Sequence, residues 1–390
     1  MRRSDVCLLL SSFDEINAPL LSHGEFRYAD VFRMPRRSKL LTHLLRFPLV
    51  LAFMGAAIVS PALAEDRPAM QQIREELDLA AAPQKLLLQI PNDRPGKRCT
   101  HLGQSDLRRP VTVSLHRTFH DDFDEHPLKS GRWVPHYAGP VVMPESFYTS
   151  GDASQLSRKT KWNGEQQIYV DPGYEGRGTV PLGLDPFKVQ DGTLSIVASR
   201  TPPEFKDVLF GNQYISGILT TQQSFSQKYG YFEIRVKIPL GIGVWPAFWM
   251  LANNGGWPPE IDVLEGRGQH PGDLAMTTHW RLPNGIIQRC TIDFSEPNAW
   301  INFHDYGVLW ERDRLVYFID RRPVYDIKVP GSFEDPMYMI INLAMGSKVF
   351  GGVGFVDAQS PPVVEFQIDR VSAYQIDPPS SDPPEATAAR

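Results

Sequence analysis

Apolar residues along the chain fall in short runs that alternate with polar positions, and turn residues separate the runs. Thr193-Leu194-Ser195-Ile196-Val197-Ala198, Tyr231 to Ile238, Val308-Leu309-Trp310, Leu315 to Ile319, Met337 to Leu343 and Phe366 to Tyr374 each read as a strand. The period is two, the spacing at which side chains leave a strand on opposite faces. The 34 prolines and 30 glycines sit mostly between these runs, where turns need them. Long amphipathic helical stripes, heptads and internal repeats are absent from the sequence. An all-β sandwich or jelly roll follows.

The two ends depart from this pattern. Met34 opens a segment with the basic stretch Arg36-Arg37-Ser38-Lys39, an apolar run from Phe47 to Val59, and Ala62-Leu63-Ala64, which fits the small-x-small cleavage rule. The apolar run is shorter than the roughly 18 to 20 residues that span a bilayer, so a signal peptide cleaved after Ala64 is expected rather than an anchor. Residues 1–64 are therefore read as a leader, with translation expected to start at Met34. Residues 65–112, with a short helix expected over Met70 to Leu79 and an apolar stretch Leu86 to Ile90, read as an N-terminal extension packed against or tethered to the main domain. The main domain is placed at 113–376. Residues 377–390, rich in Pro, Ser, Ala and acid, read as a disordered tail.

Composition narrows the partners. The net charge is -5 with no long basic block, which argues against nucleic acid or anionic lipid and fits a neutral substrate. After removal of the leader with Cys7, Cys99 and Cys290 remain in an oxidising compartment, where they could pair or stay as two thiols. None of the histidines has zinc spacing, and no Gly-rich phosphate loop leads from a strand into a helix.

Within the β pattern, Glu260-Ile261-Asp262-Val263-Leu264-Glu265 places three carboxylates in a segment that otherwise reads as a buried strand. Glu260 and Asp262 share a face, whereas Glu265 lies at an odd offset and would point away in a regular strand. A β-bulge between Asp262 and Glu265 adds one residue and aims all three acids into one cleft. Two carboxyl groups, one protonated and one ionised, are what glycosidic cleavage commonly uses. Asp262 beside Glu265 would then raise the pKa of Glu265 by like-charge repulsion and keep it protonated.

Several segments in order resemble glycoside hydrolase family 16. They are Trp162 to Gln167, Tyr229 to Arg235, Gly243 to Met250, the acid hexapeptide, Phe303 to Tyr306 with Trp310, Ile341 to Gly346 and Ile368 to Val371, together covering about residues 117 to 376. The resemblance implies a concanavalin-like β-jelly-roll sandwich with an open substrate cleft, and retaining endo-glycosidase chemistry. It implies Glu260 as nucleophile, Asp262 as assisting carboxylate and Glu265 as acid/base. Trp245 and Trp249, four apart and so on one face, could be core packing or a cleft wall; the resemblance implies the wall, where flat rings stack on sugars. Asn163, Glu233, Arg235 and Asn342 match cleft residues of the family, and His279 resembles a histidine placed near the acids, here read as substrate-binding. No cofactor is required, although the family allows a structural calcium, for which no ligand set is identifiable.

Two residues between Asp262 and Glu265 look like laminarinases, and like some agarases and carrageenases, rather than the mixed-linkage lichenase type. The expected enzyme is an exported monomer, periplasmic or extracellular, that hydrolyses β-1,3- or β-1,3(4)-glucan. It needs no membrane after signal cleavage and no nucleic acid. Alternatives are an exopolysaccharide or galactan depolymerase, a transglycosylase, and a lectin-like module that binds glycan without cutting it. Gly266-Arg267-Gly268 departs from what typically follows the last acid in a laminarinase and leaves specificity to the loops.

Overall fold

The computed structural model describes residues 82–92, 99–102, 110–137, 157–159, 163–329 and 333–378. The expected leader, the expected helix Met70 to Leu79 and the expected tail beyond Pro378 lie outside the described residues.

The alternation in the sequence resolves into two β-sheets packed face to face. The larger has twelve strands. Its main path runs Cys99–His101, Arg322–Lys328, Arg314–Ile319, His304–Glu311, Gly230–Lys237, Val363–Ile376, Thr193–Arg200, Tyr214–Ser216 and Gln167–Tyr169. Phe187–Gln190 adds to Thr193–Arg200, Pro110–Asp121 to Val363–Ile376, and Lys85–Pro91 to Pro110–Asp121. The smaller sheet has six strands in the order Ile287–Ser295, Asp273–Arg281, Glu260–Gly266, Val244–Ala252, Met337–Met345 and Ile218–Thr220. Pairing is antiparallel throughout, except between Gln167–Tyr169 and Tyr214–Ser216. Among the described residues the only helix is the 3-10 turn Pro203–Phe205, and no helix is long and apolar enough to cross a membrane.

Strand parity decides what each face carries. Phe232, Ile234 and Val236 from the large sheet meet Phe248, Met250, Ile261, Met276, Ile341 and Leu343 from the small one, and all are buried in one core. Each such side chain, removed from water, contributes about 1.5–3 kcal/mol. The intervening residues of the small sheet, Trp245, Ala247 and Trp249 among them, face the other way and line a cleft.

The expected boundary at residue 112 falls inside a strand. Pro110–Asp121 pairs with Lys85–Pro91 along its first half and with Val363–Ile376 along its second. Leu86, Leu88, Ile90 and Leu115 from this ribbon pack with Tyr231, Leu309, Val316, Phe318 and Tyr374 on the outer face of the large sheet. The described part of the extension is thus built into the domain, because alternate residues of the large sheet are apolar on both faces and need covering. At the other end, Asp377 was expected in the tail, yet Ser114 Oγ donates to its carboxylate at 2.6 Å and its own N–H donates to Ser114 O. Cys290 is disulfide-bonded and accepts a hydrogen bond from Tyr325 Oη, while the side chain of Cys99 lies outside those described.

Candidate active site

The registers on both sides of the acid strand establish the bulge. Against Val244–Ala252, Phe248 pairs with Leu264 but Trp249 with Asp262, so Val263 has no partner there. Against Asp273–Arg281, Asp262 pairs with Thr277 while Glu265 pairs with Ala275. Val263 and Leu264 both point into the core, which returns Glu265 to the face of Glu260 and Asp262. All three carboxyls line one cleft of about 400 Å3.

Each acid has its own partners. The Trp257 indole donates to Glu260 Oε2 at 2.9 Å. Thr277 Oγ1 donates to Glu265 Oε2 at 3.1 Å. His279 Nε2 stands 3.4 Å from Glu260 Oε1 and 3.7 Å from Asp262 Oδ2, and its ring tilts against Trp257 with centroids 5.9 Å apart. Trp249 Nε1 donates to Asn342 Oδ1 at 2.7 Å, and Asn342 Nδ2 donates to Tyr169 Oη at 3.0 Å, which holds the indole in place. Asn163 donates to Glu165 Oε1 at 3.0 Å on the same rim. On the Glu265 side, Trp245 stacks on Phe350 with centroids 5.1 Å apart and planes 19° apart.

Burial sets the electrostatics. It raises Glu260 to about 7, against the hydrogen bond from Trp257, which favours the ionised form. Burial, then the charge of Glu260, raises Glu265 to about 7; Thr277, Arg267 and Trp245 each pull it back. Asp262 is driven well above the usual carboxylate range by burial first and then by Glu260 and Glu265. The sequence argument gave the elevation of Glu265 to Asp262; its sources are instead burial and Glu260, and Asp262 is itself raised by both glutamates. His279 is lowered to about 4 by burial and by the charge of Arg289, so its imidazole is neutral. The trio titrates as a unit in which one member can be ionised while its neighbours stay protonated. That division supplies an acid and a nucleophile in one cleft.

Ligand atoms of Glu260, Asp262 and His279 lie within 4.8 Å of one another, close enough to hold a small cation. The same oxygens are the ones that acid and nucleophile chemistry needs free.

The family model for glycosyl hydrolases family 16 matches residues 185–358. A beta-glucanase of Rhodothermus marinus is 30% identical over 268 residues, 62% of this chain and 86% of the relative. The chain belongs to glycosyl hydrolase family 16. An endo-1,3-1,4-beta-glycanase of Rhizobium meliloti (strain 1021), ExsH, is 37% identical over 267 residues, 67% of this chain and 52% of the relative. The chain thus spans about half the length of that protein. The solved structure of the laminarinase from Rhodothermus marinus superposes with a TM-score of 0.51 at 25% identity, over 68% of this chain and 98% of that one. The family 16 fold is therefore the β-jelly-roll sandwich that the alternation predicts.

Of the sites expected from the family 16 resemblance, the structure brings Glu260, Asp262, Glu265, Trp245, Trp249, His279, Asn163 and Asn342 to the cleft. It does not bring Glu233 and Arg235 there. Both lie on Gly230–Lys237 in the large sheet, where Phe232, Ile234 and Val236 fill the core, so parity turns Glu233 and Arg235 to the outer face. There Arg321 donates to Glu233 through Nε and Nη2 at 2.9 Å each, and Arg235 and Arg370 hold Asp305 at 3.0 and 2.6 Å. Their shared face was read correctly and its direction was not. Sequence reasoning missed Trp257, Thr277, Arg267 and Phe350 as site residues. Thr277 was within reach, since it lies two residues before His279 on one strand and so shares its face. Trp257 and Phe350 sit in loops, where no period marks them.

Proposed function

We propose that this chain hydrolyses internal β-1,3 or β-1,3(4) bonds of a glucan by double displacement. The bulged strand carries the reading: it holds Glu260, Asp262 and Glu265 on one face of a cleft walled by Trp245, Trp249 and Trp257. Glu260, hydrogen-bonded by Trp257, attacks the anomeric carbon as its carboxylate. Glu265 protonates the departing glycosidic oxygen and then takes a proton from the water that releases the glycosyl-enzyme intermediate. Asp262, protonated between them, donates a hydrogen bond that steadies the nucleophile. The aromatic walls stack on the apolar faces of the sugar rings, and His279, Asn342 and Asn163 present polar atoms to the hydroxyls. No cofactor takes part. The similarity to a beta-glucanase and to an endo-1,3-1,4-beta-glycanase supports the choice of glucan. The segment Met34 to Ala64 supports an exported enzyme, periplasmic or extracellular.

A digest of laminarin, mixed-linkage glucan, agarose, carrageenan and a bacterial exopolysaccharide, with the products sized, tests this directly. Oligosaccharides from the two glucans are expected. Binding to one of them without any product would favour a lectin-like module, and products from agarose or carrageenan alone would move the substrate to galactans. For the cleaved glucan, kcat/KM should follow a bell, because Glu260 must be ionised and Glu265 protonated in the free enzyme. With both groups near 7, the maximum should lie close to neutrality and the two limbs should crowd together. A flat profile from pH 5 to 9 would remove the acid and nucleophile assignment.

A further inference from the structure

Arg267 follows the catalytic strand by one residue beyond Gly266 and takes no part in the chemistry just described, yet it lines the cleft and is buried at 9% exposure. Its guanidinium is used on every edge. Nε donates to Gly351 O at 2.6 Å, Nη1 to Asp273 Oδ1 at 3.3 Å and Nη2 to Asp293 Oδ1 at 2.5 Å. Its flat face lies 4.5 Å from the centroid of Phe350, whose ring is stacked on Trp245. The order Arg267, Phe350, Trp245 is therefore a three-layer stack between the smaller sheet and the loop 347–353. The loop is shaped around it: Gly352 has φ +86°, and a Cβ there would meet Arg267 Cδ at 2.7 Å. Ser347 Oγ accepts from the backbone N–H groups of Val349 and Phe350, closing the loop on itself.

The far end of the stack touches the chemistry. The Trp245 indole N–H is buried and makes no hydrogen bond of regular geometry, yet it is near enough to Glu265 to favour the ionised form of that carboxyl. Through Phe350, then, Arg267 fixes the plane of the ring beside the acid/base. A lysine in its place would keep the charge but lose the planar fork that reaches Gly351 O and the carboxylates together.

We infer that Arg267 is a positioning and specificity-determining residue of the proposed glucanase: it clamps loop 347–353 through Gly351 and Phe350 and so sets the Trp245 wall on which the part of the glycan next to Glu265 rests. The inference rests on the glucanase reading for its substrate and on the geometry alone for its clamp. The cation also lowers the pKa of Glu265, in the same sense as the hydrogen bond from Thr277.

Three variants of the full chain separate the two roles, with laminarin and mixed-linkage glucan as probes: Arg267→Met, Arg267→Lys and Phe350→Leu. All three loosen the wall, and KM should rise about tenfold, a loss of about 1.4 kcal/mol. Only Arg267→Met removes the charge. It should move the basic limb of the kcat/KM profile furthest to higher pH, while Arg267→Lys and Phe350→Leu, which keep the cation and disturb only the Trp245 indole, move that limb less. Amide hydrogen exchange over 347–353, measured without substrate, should quicken in Arg267→Met and Phe350→Leu. Unchanged exchange there in folded Arg267→Met overturns the clamp, and a KM within twofold of the parent in both Arg267→Lys and Phe350→Leu overturns the role of the wall. Should Arg267→Met fail to fold, the other two still decide the matter. A parent chain that cuts neither glucan, with the expected exchange changes in the variants, would count against the glucanase reading and leave the clamp standing.

Discussion

Glu260 and Glu265 in the folded chain bind protons up to about pH 7, well above an ordinary glutamic acid, because burial penalises their charge. The folded state therefore holds more protons than the unfolded chain between about pH 4.5 and 7, the interval between the reference and shifted values. By linkage, the stability these groups contribute is fully present below that window and is lost as pH rises through it. Glu260→Gln removes one titrating group and keeps the shape. Turnover should fall about a thousandfold or more, with the circular dichroism spectrum unchanged. Its melting temperature should exceed that of the parent at pH 7.5, and the gap should narrow at pH 5. A variant that melts below the parent at both pH values would show that Glu260 is a structural acid.

At the scale of the element, a strand is a two-faced object, and Gly230–Lys237 shows what its sequence can and cannot say. Glu233 accepts from Arg321 and from Tyr231 Oη at 2.9 Å and is 1% exposed, on the side of the sheet away from the cleft. Glu233→Gln would remove the buried carboxylate charge that Arg321 grips through two hydrogen bonds, so stability in urea should drop by about 3–5 kcal/mol. At a temperature where the variant is folded, kcat/KM should be unchanged; a large fall would put Glu233 back at the substrate. The alternation of Tyr231 to Ile238 showed that Glu233 and Arg235 share a face, but both faces of this strand are buried, and alternation alone carries no sign. The acid strand was legible for the opposite reason. Three carboxyls on a buried strand have few places to go, and the odd offset of Glu265 demanded a bulge whose position Val263 and Leu264 then supplied. Trp257 and Phe350 lay beyond such reasoning, since a loop residue reaches the cleft by the path of the chain, which no local period encodes.

For the whole molecule, the ribbon formed by Lys85–Pro91 and Pro110–Asp121 matters as much as the two sheets. Leu88 is 1% exposed and packs among Tyr231, Leu309 and Phe318, so Leu88→Ala should cost about 2–5 kcal/mol, read as a lowered urea midpoint. A shift indistinguishable from zero would mean that the ribbon is dispensable and that the outer face is content in water. The strand Val363–Ile376 follows every other described strand in the chain, yet it pairs with Pro110–Asp121, Thr193–Arg200 and Gly230–Lys237 near the middle of the large sheet. Its registers join distant parts of the sequence, as where Val371 meets Asp121 and Phe366 meets Ile196. Long-range pairing of this kind folds slowly, because each loop must close before any contact rewards it. Until the last strand arrives, three earlier strands wait with open hydrogen-bonding edges, so the large sheet stays in three unjoined pieces until Val363–Ile376 is in place.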